Sequence, residues 1–540
     1  MSESVTSDSQ ATNLRAREAA QRAMTGVRVE STGLVEFTSR GRVVVIGGPA
    51  AGKVAAQLPK PLQGVALLTS GSAAPDTPVT RLQGRSLKIE GHLGAFTLNL
   101  GEPGQPDAAV LKADLVLDLG DEPRLRMPMT PPGYLVASPG QEGLERAREQ
   151  LVDLVGTFDK PRYFSYDSDI CAHGRSGKVA CTRCIDVCPA EAITSLVDRV
   201  AVDSHRCQGG GACGTVCPSG AIRYYYPRPE DTLEQLRILL KTYREQGGSD
   251  PLLLLSAAGQ ETSPQLPGNV LVLEVEEVAS VGLEGWLAAL AYGARSVMLL
   301  DNGRIPETVV QALEQQLDTA RTLLAGMGYP ESAVGRVNPD VSSWQGAAGM
   351  PSIKPANFST RGGKRQLVYM ALDHLYGQAE RPHPLMTLPV GAPFGMAQVE
   401  ANACTLCFSC VGACPGGALL DGDGEPRLRF IEANCLQCGM CTRTCPEDAI
   451  SITPRMLYQH EARTRVRQLH EEAPFCCVEC GKPYATRTVV DNMLQKLEGH
   501  WMFRDPRARR RLKMCQDCRV IDIAQDAEAM GPGLGSEVRQ

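Results

Sequence analysis

Residues 404–415, CTLCFSCVGACP, and 435–446, CLQCGMCTRTCP, each read C-x2-C-x2-C-x3-C-P. Three thiolates spaced two residues apart wrap one arc of an iron–sulfide cubane, and the fourth, placed before a proline that ends the turn, points at the neighbouring cubane. One cluster is therefore expected on Cys404, Cys407, Cys410 and Cys445, and its neighbour on Cys435, Cys438, Cys441 and Cys414. A zinc site or a set of buried free thiols would not need two identical registers, each closed by proline.

Upstream the motif recurs with two departures. Its first half runs Cys171, nine residues, Cys181, Cys184, Cys188 and Pro189, the insert AHGRSGKVA lengthening the first interval without removing a ligand. Its second half is Cys207, Gly210, Cys213, Cys217 and Pro218, with glycine where the register asks for cysteine. That register assigns Cys171, Cys181, Cys184 and Cys217 to one cluster, and only Cys207, Cys213 and Cys188 to another. Three outcomes stay open for the site that is one thiolate short. It loses an iron and becomes a 3Fe-4S centre, it takes an exogenous or neighbouring fourth ligand such as water, Asp203 or His205, or it stays empty.

The last cysteines differ in kind. Cys477 and Cys480, in CVECGKP, and Cys515 and Cys518, in CQDCRV, form two C-x2-C knuckles separated by 34 residues. Such a pattern suits one structural zinc ion in tetrahedral sulfur ligation. A fifth iron–sulfur cluster and a rubredoxin-like single iron are the competing readings. Cys476 is the spare thiol.

At 540 residues the chain is too long for a single core, and three to five domains are expected. Hydrophobic residues at 43% and charged residues at 21% suit a soluble globular protein, and a net charge of −6 gives no general affinity for nucleic acid or anionic membrane. The opening MSESVTSDSQ has neither a basic region nor an apolar core, and no stretch approaches the roughly 20 apolar residues of a membrane span. A cytoplasmic location is expected, with cysteines that bind metal rather than pair as disulfides.

Pattern shifts divide the chain. Residues 1–30 are polar and read as a mobile extension. Residues 31–155 read as an α/β-like domain opened by the buried run VVVIGG, with VALLTS and LVLDLG as further strands. Within it GGPAAGK fits a phosphate loop until Val54 replaces the hydroxyl residue, so a plain strand-to-helix turn is favoured over nucleotide binding. Residues 160–228 hold the first pair of cysteine runs. Residues 229–345 lack cysteine and alternate strands (PLLLLS, NVLVLEVE, SVMLLD) with helices (EDTLEQLRILLKTYREQ, GLEGWLAALAYG, PETVVQALEQQLDTARTLLAGMG), the pattern of a parallel sheet covered by helices. Residues 346–395, rich in Pro and Gly, read as a linker, 396–455 as the second pair of runs, 456–523 as a zinc-ribbon-like segment and 524–540 as a disordered tail. The arginines of RDPRARRRLK read as a solvated helix face, with docking to an acidic partner as the second reading. The expected class is multidomain α+β and α/β.

Three stretches carry a resemblance. They are FDKPRYFSYDSDICAHGRSGKVACTRCIDVCPAEAITS (158–195), the paired cysteine runs, and CGKP (480–483) with MCQDCRV (514–520). By these the chain resembles a family of bacterial multi-cluster ferredoxin-like proteins found with formate dehydrogenase and its accessory proteins, over about residues 155–520. The stretch EVASVGLEGWLAALAYGARSVMLL (277–300) is similar to the delta subunit of methyl-viologen-reducing hydrogenase. The resemblance implies two ferredoxin-like modules flanking a hydrogenase-delta-like domain, cysteine at the position held here by Gly210, and a redox enzyme, possibly formate dehydrogenase in kind, as partner. The hydrogenase subunit's cysteines hold a cluster that this segment, having none, does not carry over.

The leading expectation is a non-catalytic iron–sulfur electron carrier with three 4Fe-4S clusters, a fourth site holding a 3Fe-4S centre or nothing, and one zinc. The alternatives are a maturation factor for a molybdenum or tungsten enzyme and a redox subunit binding flavin or nucleotide through GGPAAGKV.

Overall fold

The β-branched run Val43–Ile46 has no polar face to turn to solvent. It accordingly forms the strand Arg42–Gly47 in the middle of a five-stranded, all-parallel sheet. The order across the sheet is Val79–Arg81, Gln63–Leu68, Arg42–Gly47, Leu115–Asp118 and Tyr134–Val136. This is a computed structural model; it describes residues 2–526 apart from 72–77, 103, 107, 138–139, 261–265, 339–343 and 345. The chain is mixed α/β and multidomain, and divides into two compact units, Met1–Ser168 with Thr182–Pro382, and Asp169–Cys181 with His383–Gln540. The tail expected to be disordered lies outside the described residues from 527 onward.

In the first unit, GGPAAGKV turns directly from strand into the short helix Ala50–Ala56. Val54, which stands where a phosphate loop needs a hydroxyl, is only 7% exposed and belongs to the core with Ala51 and Ala55. The helix lies so close to the next strand that a Cβ on Gly64 would come within 2.4 Å of the Ala55 carbonyl oxygen. Packing alone therefore accounts for the small residues of this turn. Nearby, buried Asp114 accepts hydrogen bonds from the backbone N–H groups of Arg40 (2.9 Å) and Arg42 (3.0 Å) and from the Arg42 guanidinium.

The cysteine-free stretch forms a four-stranded parallel sheet ordered Val270–Val275, Leu252–Ala257, Ser296–Leu300 and Val334–Val337. Its helices are Pro229–Glu245, Leu283–Ala291 and Glu307–Gly326, the second closed by Gly293 at φ 99°. Two segments depart from expectation. Ser2–Thr25 is a helix rather than a mobile extension: Ala16 and Ala20 are buried, Arg17 donates to the carbonyls of Leu266 and Pro267, and Asn13 accepts from the Ser249 N–H. The stretch read as a linker contains the helix Lys364–Tyr376, with Leu367, Val368, Ala371, Leu372 and Leu375 buried.

In the second unit, strands Leu385–Thr387 and Gly395–Val399 flank Ile450–Leu457, and Leu419–Gly422, Glu425–Phe430 and Arg467–Glu471 make a second antiparallel sheet. Buried Glu432 ties them together by accepting from Arg455 (2.8 Å) and from Arg467.

Burial pushes the Asp114 carboxyl up, but the bonds from Arg42 and the two backbone N–H groups outweigh it and hold the group below its ordinary range. A lowered folded pKa contributes stability above the unfolded value that is lost as pH falls through the folded one. Asp114→Asn is expected to destabilise the first unit by about 1–3 kcal/mol at pH 7, seen as a lower urea midpoint. The gap to wild type should narrow below about pH 4, the ordinary carboxylate range.

Candidate metal centres

Between the cysteines of residues 404–414 and 435–445 the backbone passes through left-handed residues: Leu406 (φ 53°) and Phe408 (57°) in the first run, Gln437 (51°) and Gly439 (78°) in the second. These reversals curl each loop around a central space. Each third cysteine then sits on a one-turn helix, Ser409–Ala413 or Met440–Thr444, with the fourth at its extended C-cap. The result is one cavity lined by Cys404, Cys407, Cys410 and Cys445, and another lined by Cys414, Cys435, Cys438 and Cys441. The last cysteine of each run lines the other run's cavity.

Burial dominates the acidity of these thiols. It pushes Cys410 up to about 12 and Cys438 to about 11, and raises Cys441 and Cys404 as well. The protein alone thus keeps them as thiols, and only a bound cation reverses that preference. Hydrogen bonds to sulfur are already in place: Ala418 N–H to Cys414 Sγ and Ala449 N–H to Cys445 Sγ, both 3.3 Å, and Gln437 Nε2 to Cys435 Sγ at 3.3 Å. The donor set fits 4Fe-4S clusters.

The second run of the upstream pair has the same backbone. Gly209 (φ 80°) and Gly211 (76°) repeat the reversals of Gln437 and Gly439, and Cys213 lies on the short helix Ala212–Val216 with Cys217 at its C-cap. Cys188, Cys207 and Cys213 line a cavity together with Gly210. Burial pushes Cys213 well above its ordinary range, and Cys207 in the same direction. The Ala192 N–H donates to Cys188 Sγ at 3.4 Å, the counterpart of the Cys414 and Cys445 bonds. Neither Asp203 nor His205, the protein side chains expected as substitutes for the missing thiolate, is among the described residues lining this cavity. Asp203 Oδ1 accepts the N–H groups of His205 and Arg206, and the His205 ring stacks on His92 with centroids 4.3 Å apart.

Sequence reading missed one support for this site. Lys364 Nζ donates to the carbonyls of Gly214 (2.7 Å) and Thr215 (2.6 Å), capping the helix that carries Cys213, while Thr215 Oγ1 donates to the Ala279 carbonyl. The signal was faint, because a single lysine in a Gly- and Pro-rich stretch looks like solvated charge.

Of the remaining upstream cysteines, Cys184 and Cys217 belong to the first unit, and Cys171 and Cys181 to the second. The insert between Cys171 and Cys181 forms a hairpin, Gly174–Arg175 with Lys178–Val179. Lys178 Nζ donates to the Arg443 carbonyl at 2.6 Å.

Near the C-terminus the sulfurs of Cys477, Cys480, Cys515 and Cys518 all lie within 4.8 Å of one another, with Cys480 and Cys515 3.7 Å apart. Tetrahedral sulfur at zinc–sulfur bonds of about 2.3 Å puts the sulfurs roughly 3.8 Å apart. A hairpin, Pro474–Cys476 with Pro483–Thr486, leads into one knuckle, and Cys515 caps the helix Gln516–Ala524. Cys476 is exposed and outside the cluster. The local core is only Cys477, Met514 and Cys515 with Tyr484 and Cys518 against it.

Residues 403–450 match the 4Fe-4S dicluster domain family, and residues 179–226 match the LdpA Fe-S cluster-binding domain family. No curated protein matches the chain. The chain is a multi-cluster, ferredoxin-like iron–sulfur protein with a four-cysteine metal-binding site near its C-terminus. Among the described residues no helix is long and apolar enough to cross a membrane.

With so small a core, the C-terminal segment is expected to depend on a metal held by these four cysteines. Chelation of zinc from the full chain, or Cys515→Ser, is expected to expose residues 474–526 to limited proteolysis while the iron–sulfur absorbance persists. X-ray absorption showing iron in that site would instead make it a redox centre.

Proposed function

We propose that this chain relays single electrons through iron–sulfur clusters, and that it serves formate dehydrogenase or a similar redox enzyme in the cytoplasm. The clusters supply reversible one-electron acceptance when bound. The observation that carries the reading is the exchange of cysteines between the runs 404–414 and 435–445. Cys410 and Cys414 sit four residues apart on one short helix and its cap yet line different cavities, as do Cys441 and Cys445. Four helical residues advance only about 6 Å, so this arrangement favours passage between adjacent centres without a diffusing carrier.

The chain's own residues hold and tune those centres. Sixteen positions matter by the register: Cys404, Cys407, Cys410 and Cys445; Cys435, Cys438, Cys441 and Cys414; Cys171, Cys181, Cys184 and Cys217; and Cys188, Cys207 and Cys213 with Gly210. Backbone N–H donors to Cys188, Cys414 and Cys445 withdraw charge from sulfur and raise the potential relative to an unbonded thiolate.

The alternatives have less support. Val54 fills the core where a nucleotide site would need a hydroxyl. The arginine run that a maturation factor would use for docking is engaged internally, Arg507 and Arg511 with Asp522, and Arg510 with Glu479.

Purified anaerobically, the full chain is expected to be reduced by formate when formate dehydrogenase is the only other protein present. Cys441→Ser is expected to lower the iron content by about four per chain, the content of one cubane, and to slow that reduction. Iron below about eight per chain would refute the relay.

A further inference from the structure

The chain carries its own control for the three-cysteine site, because residues 207–224 repeat 435–452 position by position. Cys207, Cys213 and Cys217 stand at the places of Cys435, Cys441 and Cys445, and Ile222 at that of Ile450. In this register Gly210 replaces Cys438 and Tyr224 replaces Ile452. The strands agree with the alignment: Tyr224 pairs with Phe164 as Ile452 pairs with Ala397, and all four residues line their respective cavities.

One further difference follows. Tyr224 is 4% exposed and its hydroxyl is buried without a hydrogen-bond partner. A buried unpaired hydroxyl costs about 1–3 kcal/mol, which a bare apolar residue such as Ile452 avoids. The site has thus lost a thiolate and gained a polar group that no described residue satisfies. The loss is not a backbone accident either. A Cβ at Gly210 would meet only Pro189 Cγ, at 3.7 Å, and φ there is not in the left-handed region, so cysteine would fit.

We propose that Cys188, Cys207 and Cys213 hold a 4Fe-4S cluster whose fourth iron takes an exchangeable small thiol in the space left by Gly210, with the Tyr224 hydroxyl donating a hydrogen bond to the incoming sulfur. This rests on the iron–sulfur reading of the chain but goes beyond electron relay, since it makes one centre a ligand-binding site. The exchange is balanced: water leaves the iron, the thiol binds through sulfur, and its proton passes to solvent. Thiolate is the donor class because iron in such clusters prefers soft sulfur and because the intact module supplies a thiolate at this position. Tyr163, Phe164 and Met129 close the cavity with apolar surface suited to a short carbon chain.

The test uses the full-length protein, purified anaerobically without thiols, reduced, and titrated with 2-mercaptoethanol. Electron paramagnetic resonance with iron-57 Mössbauer spectroscopy should show one cluster changing with thiol concentration, while the signals of the Cys404–Cys445 pair stay fixed. In Gly210→Cys the change should vanish, since the position is filled in cis. In Tyr224→Phe the change should persist but require roughly five-fold more thiol, the loss of one hydrogen bond. A three-iron centre unaltered by thiol, an empty site, or an equal response in Gly210→Cys would each overturn the proposal. Iron in the Cys404–Cys445 pair reports separately on the relay, so the two readings fail independently.

Discussion

A thiolate in a low-dielectric interior needs a cation, and the sites of this chain are arranged around that requirement. Cys410, Cys438 and Cys441 are buried deeply enough that burial raises all three, and Cys213 is raised well above its ordinary range. Without metal these positions only line small apolar pockets. With iron they become the junctions at which loops, one-turn helices and strands meet. The cluster of residues around Phe430 and Leu428 shows this directly, since Cys435 is part of that core and Cys404, Cys410, Cys414, Cys441 and Cys445 pack against it. Cofactor site and hydrophobic core are here one structure, so ligand geometry and folding are coupled.

The same coupling explains how a ligand can be absent without loss of the loop. The left-handed turns at Gly209 and Gly211 do not depend on the residue between them. The helix bearing Cys213 is held from outside by Lys364 and by Thr215 on the Ala279 carbonyl. A site braced in this way keeps its shape with three thiolates. In the duplicate at 435–445, by contrast, Gln437 does part of the bracing itself, bonding both the Met396 carbonyl and Cys435 Sγ.

Legibility from sequence followed the range of the interactions. Cysteine spacing is a local signal: the cysteines of three sets read from it line common cavities and the last four cluster near the C-terminus, whereas Cys171, Cys181, Cys184 and Cys217 are divided between the two units. Continuous apolar runs such as LLLLS and VVVIGG were equally plain, because a buried parallel strand has no polar face to conceal it. What escaped depends on partners distant in the chain. The polar residues of Ser2–Thr25 suggest solvent, yet Asn13 and Arg17 bond to residues more than 200 positions away. The helix Lys364–Tyr376 did carry a helical apolar stripe, masked by the prolines and glycines around it. The strand Val334–Val337 is four residues long and recognisable only beside its neighbour.

The insert between Cys171 and Cys181 shows how a departure from a motif acquires meaning only in three dimensions. As sequence, AHGRSGKVA is nine residues that interrupt a ligand run. Folded, it is a hairpin whose Lys178 grips the helix carrying Cys441, and whose buried His173 ring bonds the Cys181 carbonyl at 2.7 Å. A lengthened loop at a metal site would ordinarily raise mobility and loosen ligand geometry. Here the added residues bring their own hydrogen bonds, one of them to the Cys181 carbonyl. Electron transfer favours such rigidity, because a site that moves little between oxidation states wastes little energy in reorganisation.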